Sequence, residues 1–373
     1  AAVVAVALLR LVPILGSDGV FPDNALMDPL ELPWTENSDG SFSGTLYMGV
    51  TYIGEEQGSK ATIRTRAFGA SPDTFTVPGP TIVMRACDTY FLTLQNLLER
   101  PSPAGEWNTL ASVNTTNLHL HGLHISGDAP GDEIFSTTVE PGKSYTYTYV
   151  IPCDHIGGLF WYHAHYHGSM ALQVGGGATG LVKVEYNDWE GIPEQIRSMP
   201  EVVMQMKEVD CKATGFVALN SNDTVWSCGD HTFHHNDTAS LADNTTHPHG
   251  QDEHTTILVN GQDQREIPLE RGQWHHIRTS FVSNGDGYQL RVDAGRSGGC
   301  DVGLLATDGV WLSEVPRLLP DRTMFFSPAS RLDYAVRCRE VGPVDLVAYK
   351  APVSDLNASI KNATFYPARF NVQ

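Results

Sequence analysis

Residues 160–174 read FWYHAHYHGSMALQV and residues 116–127 read TNLHLHGLHISG, and both stretches place histidines at every second position. The histidines spaced in this way are His119, His121, His163, His165 and His167. Residues i and i+2 of a β-strand project to the same side, so the first pair of imidazoles points together, as does the pair His163 and His165. If the two strands are neighbours, four imidazoles converge, and the pattern predicts a metal site.

The residues around the histidines favour copper over zinc and exclude one kind of copper site. Neutral imidazole binds both metals, and copper has the higher intrinsic affinity. A catalytic zinc ion needs three protein ligands and a water, so four histidines exceed that need and could hold more than one ion. A blue copper site needs a cysteine thiolate, but Ala164 stands between the histidines and the next cysteine is Cys211. Met170 is therefore interpreted as a packing residue rather than an axial ligand.

Composition predicts an all-β protein that does not bind nucleic acid. Short alternating runs are separated by turn formers, among 35 Gly and 22 Pro in 373 residues. Residues 143–151, KSYTYTYVI, place tyrosines on one face of a strand and polar residues on the other. The net charge of −19 would repel phosphates. No run of about 20 apolar residues occurs, so no transmembrane segment is expected.

Turn signals divide the chain into two tandem β-sandwich domains. Residues 1–31 form an N-terminal extension, which is either a signal-peptide remnant or a leading strand. Residues 32–186 form the first domain, with a glycine-rich bend just after the second histidine stretch. Residues 187–353 form the second domain, in which about 210–254 is a polar surface insertion. Residues 354–373 are a C-terminal tail or a linker.

The histidine stretches resemble the first cupredoxin domain of the multicopper oxidases, the laccase-like family. The resemblance rests on TNLHLHGLH, GLFWYHAHYHGSMALQVGGGATGLVKVE and PGPTIVMRACDTYFLTLQN. TTILVNGQ, LRVDAG, DGVWL and FFSPASRLDYAVRC are similar to the family's second cupredoxin domain. The resemblance implies two tandem cupredoxin-like Greek-key β-sandwich domains. It also implies an oxidoreductase that reduces dioxygen to water while it oxidises a one-electron donor, a phenol or a metal ion.

By resemblance, the paired histidines bind part of a three-copper cluster. His119 would bind the type 2 copper, and His121, His163 and His165 would bind the type 3 pair. An acidic residue near the cluster relays protons in this family. Asp132 is the candidate for that catalytic role and Asp128 the second candidate, although either could be an exposed loop carboxylate.

Other histidines are not assigned as ligands. His124 and His167 lie one step beyond the matched positions, and they either line the site or hydrogen-bond to its ligands. His275 and His276 fall on opposite faces of a strand and cannot both bind one ion. The stretch HPHGQDEH, residues 247–254, is interpreted as a solvated loop in the insertion.

The sequence departs from the family pattern because no His-Cys-His motif is present. In the family this motif belongs to a third domain, which carries the type 1 copper and the remaining cluster ligands. Three explanations are open: the chain is the N-terminal part of a longer oxidase, a partner chain supplies the missing histidines, or oxidase activity has been lost. The chain alone is expected to be inactive. A copper-binding or structural glycoprotein is the alternative function, and a zinc hydrolase is disfavoured because no HExxH motif is present.

The cysteines and sequons predict secretion with N-glycosylation. Six cysteines suit three disulfides, expected as Cys87–Cys153, Cys211–Cys228 and Cys300–Cys338. N-x-[ST] triplets begin at Asn114, Asn222, Asn236, Asn244, Asn357 and Asn362. Together they indicate a eukaryotic secretory route and an extracellular protein.

Overall fold

The computed structural model is built almost wholly of β-strands, which confirms the all-β prediction. It describes residues 25–53, 61–100, 112–210, 225–228, 231–234, 255–263, 265–283, 287–293, 299–351 and 364–373. The described strands form four sheets in two pairs, and each pair encloses its own hydrophobic core.

The first pair of sheets carries both histidine stretches. Its larger sheet has the order β13-β12-β3-β2-β6-β8, with β1 on β2 and β4 on β3. These strands are β1 (Thr35–Glu36), β2 (Phe42–Ile53), β3 (Ala61–Ser71), β4 (Thr74–Thr76), β6 (Thr89–Asn96), β8 (Ser144–Val150), β12 (Val225–Cys228) and β13 (His231–His234). Its smaller sheet has the order β5-β10-β9-β7. These strands are β5 (Gly79–Met84), β7 (His119–His121), β9 (Gly158–His163) and β10 (Thr179–Val184).

The second pair of sheets follows in the chain. One sheet has the order β14-β11-β16-β22-β18-β19, with β20 on β18, and the other has the order β15-β24-β23-β17-β21. The first contains β11 (Glu201–Asp210), β14 (Thr255–Val259), β16 (His275–Val282), β18 (Cys300–Thr307), β19 (Val310–Trp311), β20 (Arg317–Leu318) and β22 (Arg331–Cys338). The second contains β15 (Arg265–Leu269), β17 (Gly287–Asp293), β21 (Thr323–Phe326), β23 (Gly342–Ala351) and β24 (Thr364–Val372).

The two cores follow from the alternation of apolar residues along the strands. In β8, Tyr147 and Tyr149 are buried in the first core, while Thr146 and Thr148 lie on the opposite face. The second core joins strands of both its sheets, for example Met204 and Ile277 on one side and Leu290 on the other. Each domain therefore buries enough apolar surface to hold its own pair of sheets together.

Helices are few and short among the described residues, and one of them was not predicted. They are α1 (Met170–Gly176), α2 (Glu194–Arg197) and one 3₁₀ turn (Asp188–Glu190). Where the sequence indicated a glycine-rich bend, α1 instead continues through Gly175 and Gly176. Gly177 then ends the helix with a φ of 114°, a left-handed conformation that favours glycine.

Two segments differ from the expected domain plan. The prediction of a tail or linker over 354–373 is wrong for the last ten residues, because β24 pairs with both β15 and β23. Ala368 and Phe370 of this strand are buried in the second core. Part of the expected irregular insertion is also strand, since β12 pairs with β13 and with β3 of the first domain.

The N-terminal segment connects the two domains. The Leu26 N–H donates to Glu266 O at 2.9 Å, in β15 of the second domain. The Leu32 N–H donates to Thr81 O at 2.8 Å, in β5 of the first. Residues 25–32 therefore form hydrogen bonds to both domains.

Two of the three expected disulfides lie within the described residues and are confirmed. Cys87 is bonded to Cys153 and Cys300 to Cys338. Cys211 lies outside the described residues.

Of the six sequons, only Asn114 falls in the described part of the chain. Its amide nitrogen, the atom to which a glycan would be attached, donates to Glu99 O at 2.7 Å. Its amide oxygen accepts from Arg66 Nε at 2.6 Å. Both ends of the Asn114 amide are therefore engaged in hydrogen bonds within the first domain.

An ionic network, buried at Arg278 and Asp333 and exposed at Glu201, lies on the sheet of the second domain that contains β16 and β22. Arg278 Nε lies 3.0 Å from Asp333 Oδ2, and its Nη1 lies 3.3 Å from Glu201 Oε2. Lys183, in β10 of the first domain, also hydrogen-bonds to Glu201. His276 is 3.3 Å from Asp333, while His275 on the other face accepts the Glu270 N–H. Charged groups thus link the two domains directly.

We expect the Glu201→Gln variant to lose less stability in acid than the unmodified chain. Burial opposes ionisation of Glu201, but Arg278 and Lys183 outweigh it and lower the pKa of the carboxyl from 4.5 to about 2. The unfolded chain therefore takes up this proton at a higher pH than the folded chain does. The stabilising contribution is complete above pH 4.5 and is lost as the pH falls towards 2.

Urea unfolding at pH 7, 4 and 3 measures this difference, with the exposed Glu314→Gln as the matched control. The free energy of unfolding should fall less steeply with pH in Glu201→Gln than in the control. Parallel pH profiles for the two variants would contradict the assignment.

Candidate metal centre

Strands β7 and β9 bring the two histidine stretches together. They pair antiparallel with His119 opposite His163 and His121 opposite Trp161. Side chains directly opposite one another in such a pair stand on the same face about 5 Å apart. The convergence predicted from the spacing therefore depends on this register.

The imidazoles of four histidines form one compact group. The ring centroid of His119 lies 5.5 Å from that of His121, 5.2 Å from that of His163 and 5.2 Å from that of His165. The centroids of His121 and His163 are 5.7 Å apart, and those of His163 and His165 are 5.4 Å apart. His119, His121 and His163 each have a ligand nitrogen that lies within 4.8 Å of those of the other two. The group can share metal ions without a change of backbone.

Hydrogen bonds fix which nitrogen of two rings is free. His119 Nδ1 lies 2.7 Å from Asp132 Oδ2, and His163 Nδ1 lies 3.0 Å from Ala164 O. A carboxylate and a carbonyl both accept, so each Nδ1 carries the proton and each Nε2 keeps its lone pair. Both Nε2 atoms are thereby prepared to bind a metal ion.

Asp132 and Asn117 support the site from the same side. The Leu120 N–H donates to Asp132 Oδ1 at 2.9 Å, so this carboxylate holds the backbone of β7 as well as a ring. The His165 N–H donates to Asn117 Oδ1 at 2.9 Å, and the amide nitrogen of Asn117 donates to Ile134 O at 3.0 Å. Asn117 in this way links the loop after Asp132 to His165, two residues beyond the end of β9.

Burial keeps the imidazoles neutral. It lowers the pKa of His163 to about 3 and that of His121 to about 4, and it also lowers the pKa of His165. At neutral pH these rings offer lone pairs and do not repel a cation. The buried Nδ1 of His165 has no hydrogen-bond partner in the part of the chain that is described. A neutral nitrogen-rich donor set of this kind suits copper.

The other candidates lie apart from the four rings. The His124 N–H donates to His155 Nε2 at 3.1 Å, and the two rings pack with centroids 5.8 Å apart. Among the described residues, the exposed His167 has its one ring contact with His165, at a centroid separation of 6.5 Å. Asp128 is exposed on the loop. HPHGQDEH lies outside the described residues.

Several contributors could not be identified from the sequence. Asn117 and the carbonyl of Ala164 act through hydrogen bonds that spacing does not reveal. Arg331 comes from the second domain, and a Cβ placed on Gly122 would lie 2.5 Å from its Nη2. Among the residues near the site, only Trp161 could have been noticed from the sequence, because it lies two residues before His163 and therefore on the same face of the strand.

Comparison with known proteins finds relatives among the multicopper oxidases. Residues 75–188 match the family model described as multicopper oxidase. Laccase-1 of Thanatephorus cucumeris is 36% identical over 91 residues, which cover 24% of this chain and 14% of that protein. The cell division protein FtsP of Proteus mirabilis is 26% identical over 247 residues, which cover 64% of this chain and 42% of that protein.

The fold also matches solved structures. The multicopper oxidase from Campylobacter jejuni, a metallo-oxidase, superposes with a TM-score of 0.64 and 19% identity. The match covers 96% of this chain and 63% of that one, so the chain spans under two thirds of the solved protein's length. At this identity the likeness shows the cupredoxin-type fold.

The histidine geometry, the matched domain and the laccase relatives support one conclusion. The resemblance predicted from the histidine motifs is confirmed: residues 75–188 match a multicopper oxidase family model, and the chain is similar to laccases and has the fold of solved multicopper oxidases.

Proposed function

We propose that this chain supplies the first two cupredoxin domains of a multicopper oxidase. In that assembly, dioxygen is reduced to water while a one-electron donor, a phenol or a metal ion, is oxidised. The chain contributes half of the histidines of a three-copper cluster. His119 binds the type 2 copper, and His121, His163 and His165 bind the type 3 pair.

The observation that carries this proposal is the group of four imidazoles on β7, at the end of β9 and just beyond it. Their centroids lie 5.2 to 5.7 Å apart between neighbouring rings. Two of the rings present Nε2 because their Nδ1 atoms are held by Asp132 and Ala164. Histidines that served only packing or hydrogen bonding would not need four rings arranged in this way.

The residues of this chain hold and orient the metal, which when bound supplies one-electron transfer to dioxygen. Asp132 keeps the proton of His119 on Nδ1 and fixes the ring plane. With copper bound at His119 Nε2, the Asp132 carboxylate would stand behind that imidazole as the candidate acid–base group for the protons that dioxygen reduction consumes. Burial around His163 excludes water from one side of the site.

The remaining ligands come from a third cupredoxin domain or from a partner chain. The sequence given has no His-Cys-His motif, so a type 1 copper and its electron entry must lie elsewhere. The 63% coverage of a solved multicopper oxidase leaves room for one further domain of similar size. On this proposal, the chain alone does not turn over dioxygen.

The proposed setting is the secretory pathway. Two disulfides lie within the described residues, and six sequons occur in the sequence. Among the described residues, no helix is long and apolar enough to cross a membrane. Secretion and N-glycosylation are part of the proposal.

A second candidate is a copper-binding or structural glycoprotein without oxidase activity. The match to a protein named for cell division favours it, because that match covers 64% of this chain. Oxygen uptake by the copper-loaded native assembly separates the two functions. Uptake with a phenol or a reduced metal ion supports the oxidase, and its absence with every donor supports the second candidate.

We expect His163→Ala to bind less copper than the unmodified chain. The substitution removes a ring that lies within 6 Å of the three other histidines and that offers a buried, neutral Nε2. Elemental analysis after copper loading gives the stoichiometry. In the native assembly, the near-ultraviolet band of the coupled copper pair should also disappear.

His167→Ala is the matched control, because that ring is exposed and 6.5 Å from His165. It should retain the full copper content and the band. If His163→Ala keeps both as well, the proposed ligand set is wrong.

Asp132→Asn should weaken copper binding roughly tenfold. The new amide can still accept the Leu120 N–H, but its own N–H groups oppose the proton on His119 Nδ1. The ring must then rotate or move its proton to Nε2, where it blocks the metal. A copper titration against a competing chelator measures the affinity.

Asp128→Asn makes the same change in charge on an exposed residue of the same loop and should bind copper as the unmodified chain does. If the two variants bind copper with equal affinity, Asp132 does not orient His119 for metal binding and its assigned role is wrong.

A further inference from the structure

We propose that Trp161 is a positioning residue of the copper site, whose indole holds the ring planes of His121 and His163. The inference rests on the proposed function, since it concerns the same histidines. It adds a residue that makes no bond to the metal and that sets the geometry of two ligands.

The sheet register places Trp161 inside the ligand array. In the β7–β9 ladder, His119 lies opposite His163 and His121 lies opposite Trp161. His163 and Trp161 are two residues apart in β9, so they share a face. Three of the four positions on this face are histidines, and the fourth is the indole.

The indole contacts two imidazoles at once, stacked on His163 and tilted against His121. Its centroid lies 4.3 Å from that of His163 with an interplanar angle of 25°, and 5.0 Å from that of His121 with an angle of 30°. The two imidazoles are themselves 5.7 Å apart and tilted by 44°. Stacking of nearly parallel rings at such distances is favourable, and rotation of either imidazole would disrupt it.

His121 depends most on this contact. His119 and His163 are held by hydrogen bonds to Asp132 and Ala164. Within the described residues, the ring of His121 makes no hydrogen bond. The indole, whose centroid is nearer to the His121 ring than those of His119 and His163 are, is therefore the ring contact best placed to orient His121.

Packing alone does not account for a tryptophan at this position. Trp161 is 4% exposed, and its buried Nε1 has no hydrogen-bond partner among the described residues. An unpaired buried N–H is unfavourable, and phenylalanine would fill an apolar space without it. The large flat surface of the indole covers two ligand rings, which a smaller ring cannot do equally well.

The test is a Cu(II) titration of the whole chain and of Trp161→Phe, Trp161→Leu and Trp189→Phe. Trp189 is exposed on the 3₁₀ turn and serves as the control. Tryptophan fluorescence, copper stoichiometry and the electron paramagnetic resonance spectrum of bound Cu(II) are recorded. Zn(II), which has a filled d shell, controls for quenching that does not depend on an open-shell ion. Thermal unfolding of the metal-free variants verifies that each is folded.

We expect Cu(II) to quench the unmodified chain and Trp189→Phe alike, and Trp161→Phe to lose most of that quenching at unchanged stoichiometry. Trp161→Leu should shift the copper resonance spectrum and weaken affinity roughly tenfold, because no ring remains to stack. Trp161→Phe should give a spectrum between those of Trp161→Leu and the unmodified chain, because the smaller ring covers the two imidazoles less completely. A purely structural role would lower the unfolding temperature of Trp161→Leu without moving the spectrum.

Two outcomes overturn the inference, and they differ in what else they overturn. If the unmodified chain binds no copper, both the proposed function and the role of Trp161 are wrong. If copper binds and the spectra and affinities of all variants coincide, the role of Trp161 is wrong while the ligand set stands.

Discussion

The site depends on the pairing of β7 with β9. That short antiparallel ladder places His119 opposite His163, and its hydrogen bonds fix the distance between two stretches separated by about 40 residues of sequence. A slip of one residue would turn the imidazoles of one strand to the opposite face of the sheet. The candidate metal centre therefore depends on the register of β7 and β9 as a whole and not on any single histidine.

The surroundings of the ladder hold that register in place. Strand β9 lies between β7 and β10, and all six of its residues are buried. On the other side, Asp132 accepts from the backbone of β7 and orients a ring of the same strand. Because β7 is only three residues long, such side-chain bonds matter more than they would in a long strand. Copper geometry and local fold are thus determined by the same contacts.

The second domain contributes to the site without supplying a predicted ligand. Arg331 lies against Gly122, the residue that follows β7, and is itself held by Ala329 O at 2.8 Å. The network of Arg278, Glu201 and Lys183 joins β16, β11 and β10, close to the strand that carries His163. The second domain therefore packs against the end of β7 and is bonded to β10, the neighbour of β9, so it helps to hold the strands that carry the histidines.

Local periodicity was sufficient to predict the strand type and the four imidazoles, because side chains two residues apart share a face whatever the strand packs against. The resemblance of the same motifs supplied the family, and the cysteines supplied the two disulfides that could be compared. The sequence could not rank Asp132 above Asp128 on physical grounds, since both are loop carboxylates and only the path of the loop decides which one reaches His119. It also missed β24 and the stacking of Trp161, because both depend on partners distant in sequence. The sequence alone determined the residue types and their local spacing, whereas strand pairing, ring planes and the supporting hydrogen bonds were decided by the tertiary structure, which brings together residues that no local pattern connects.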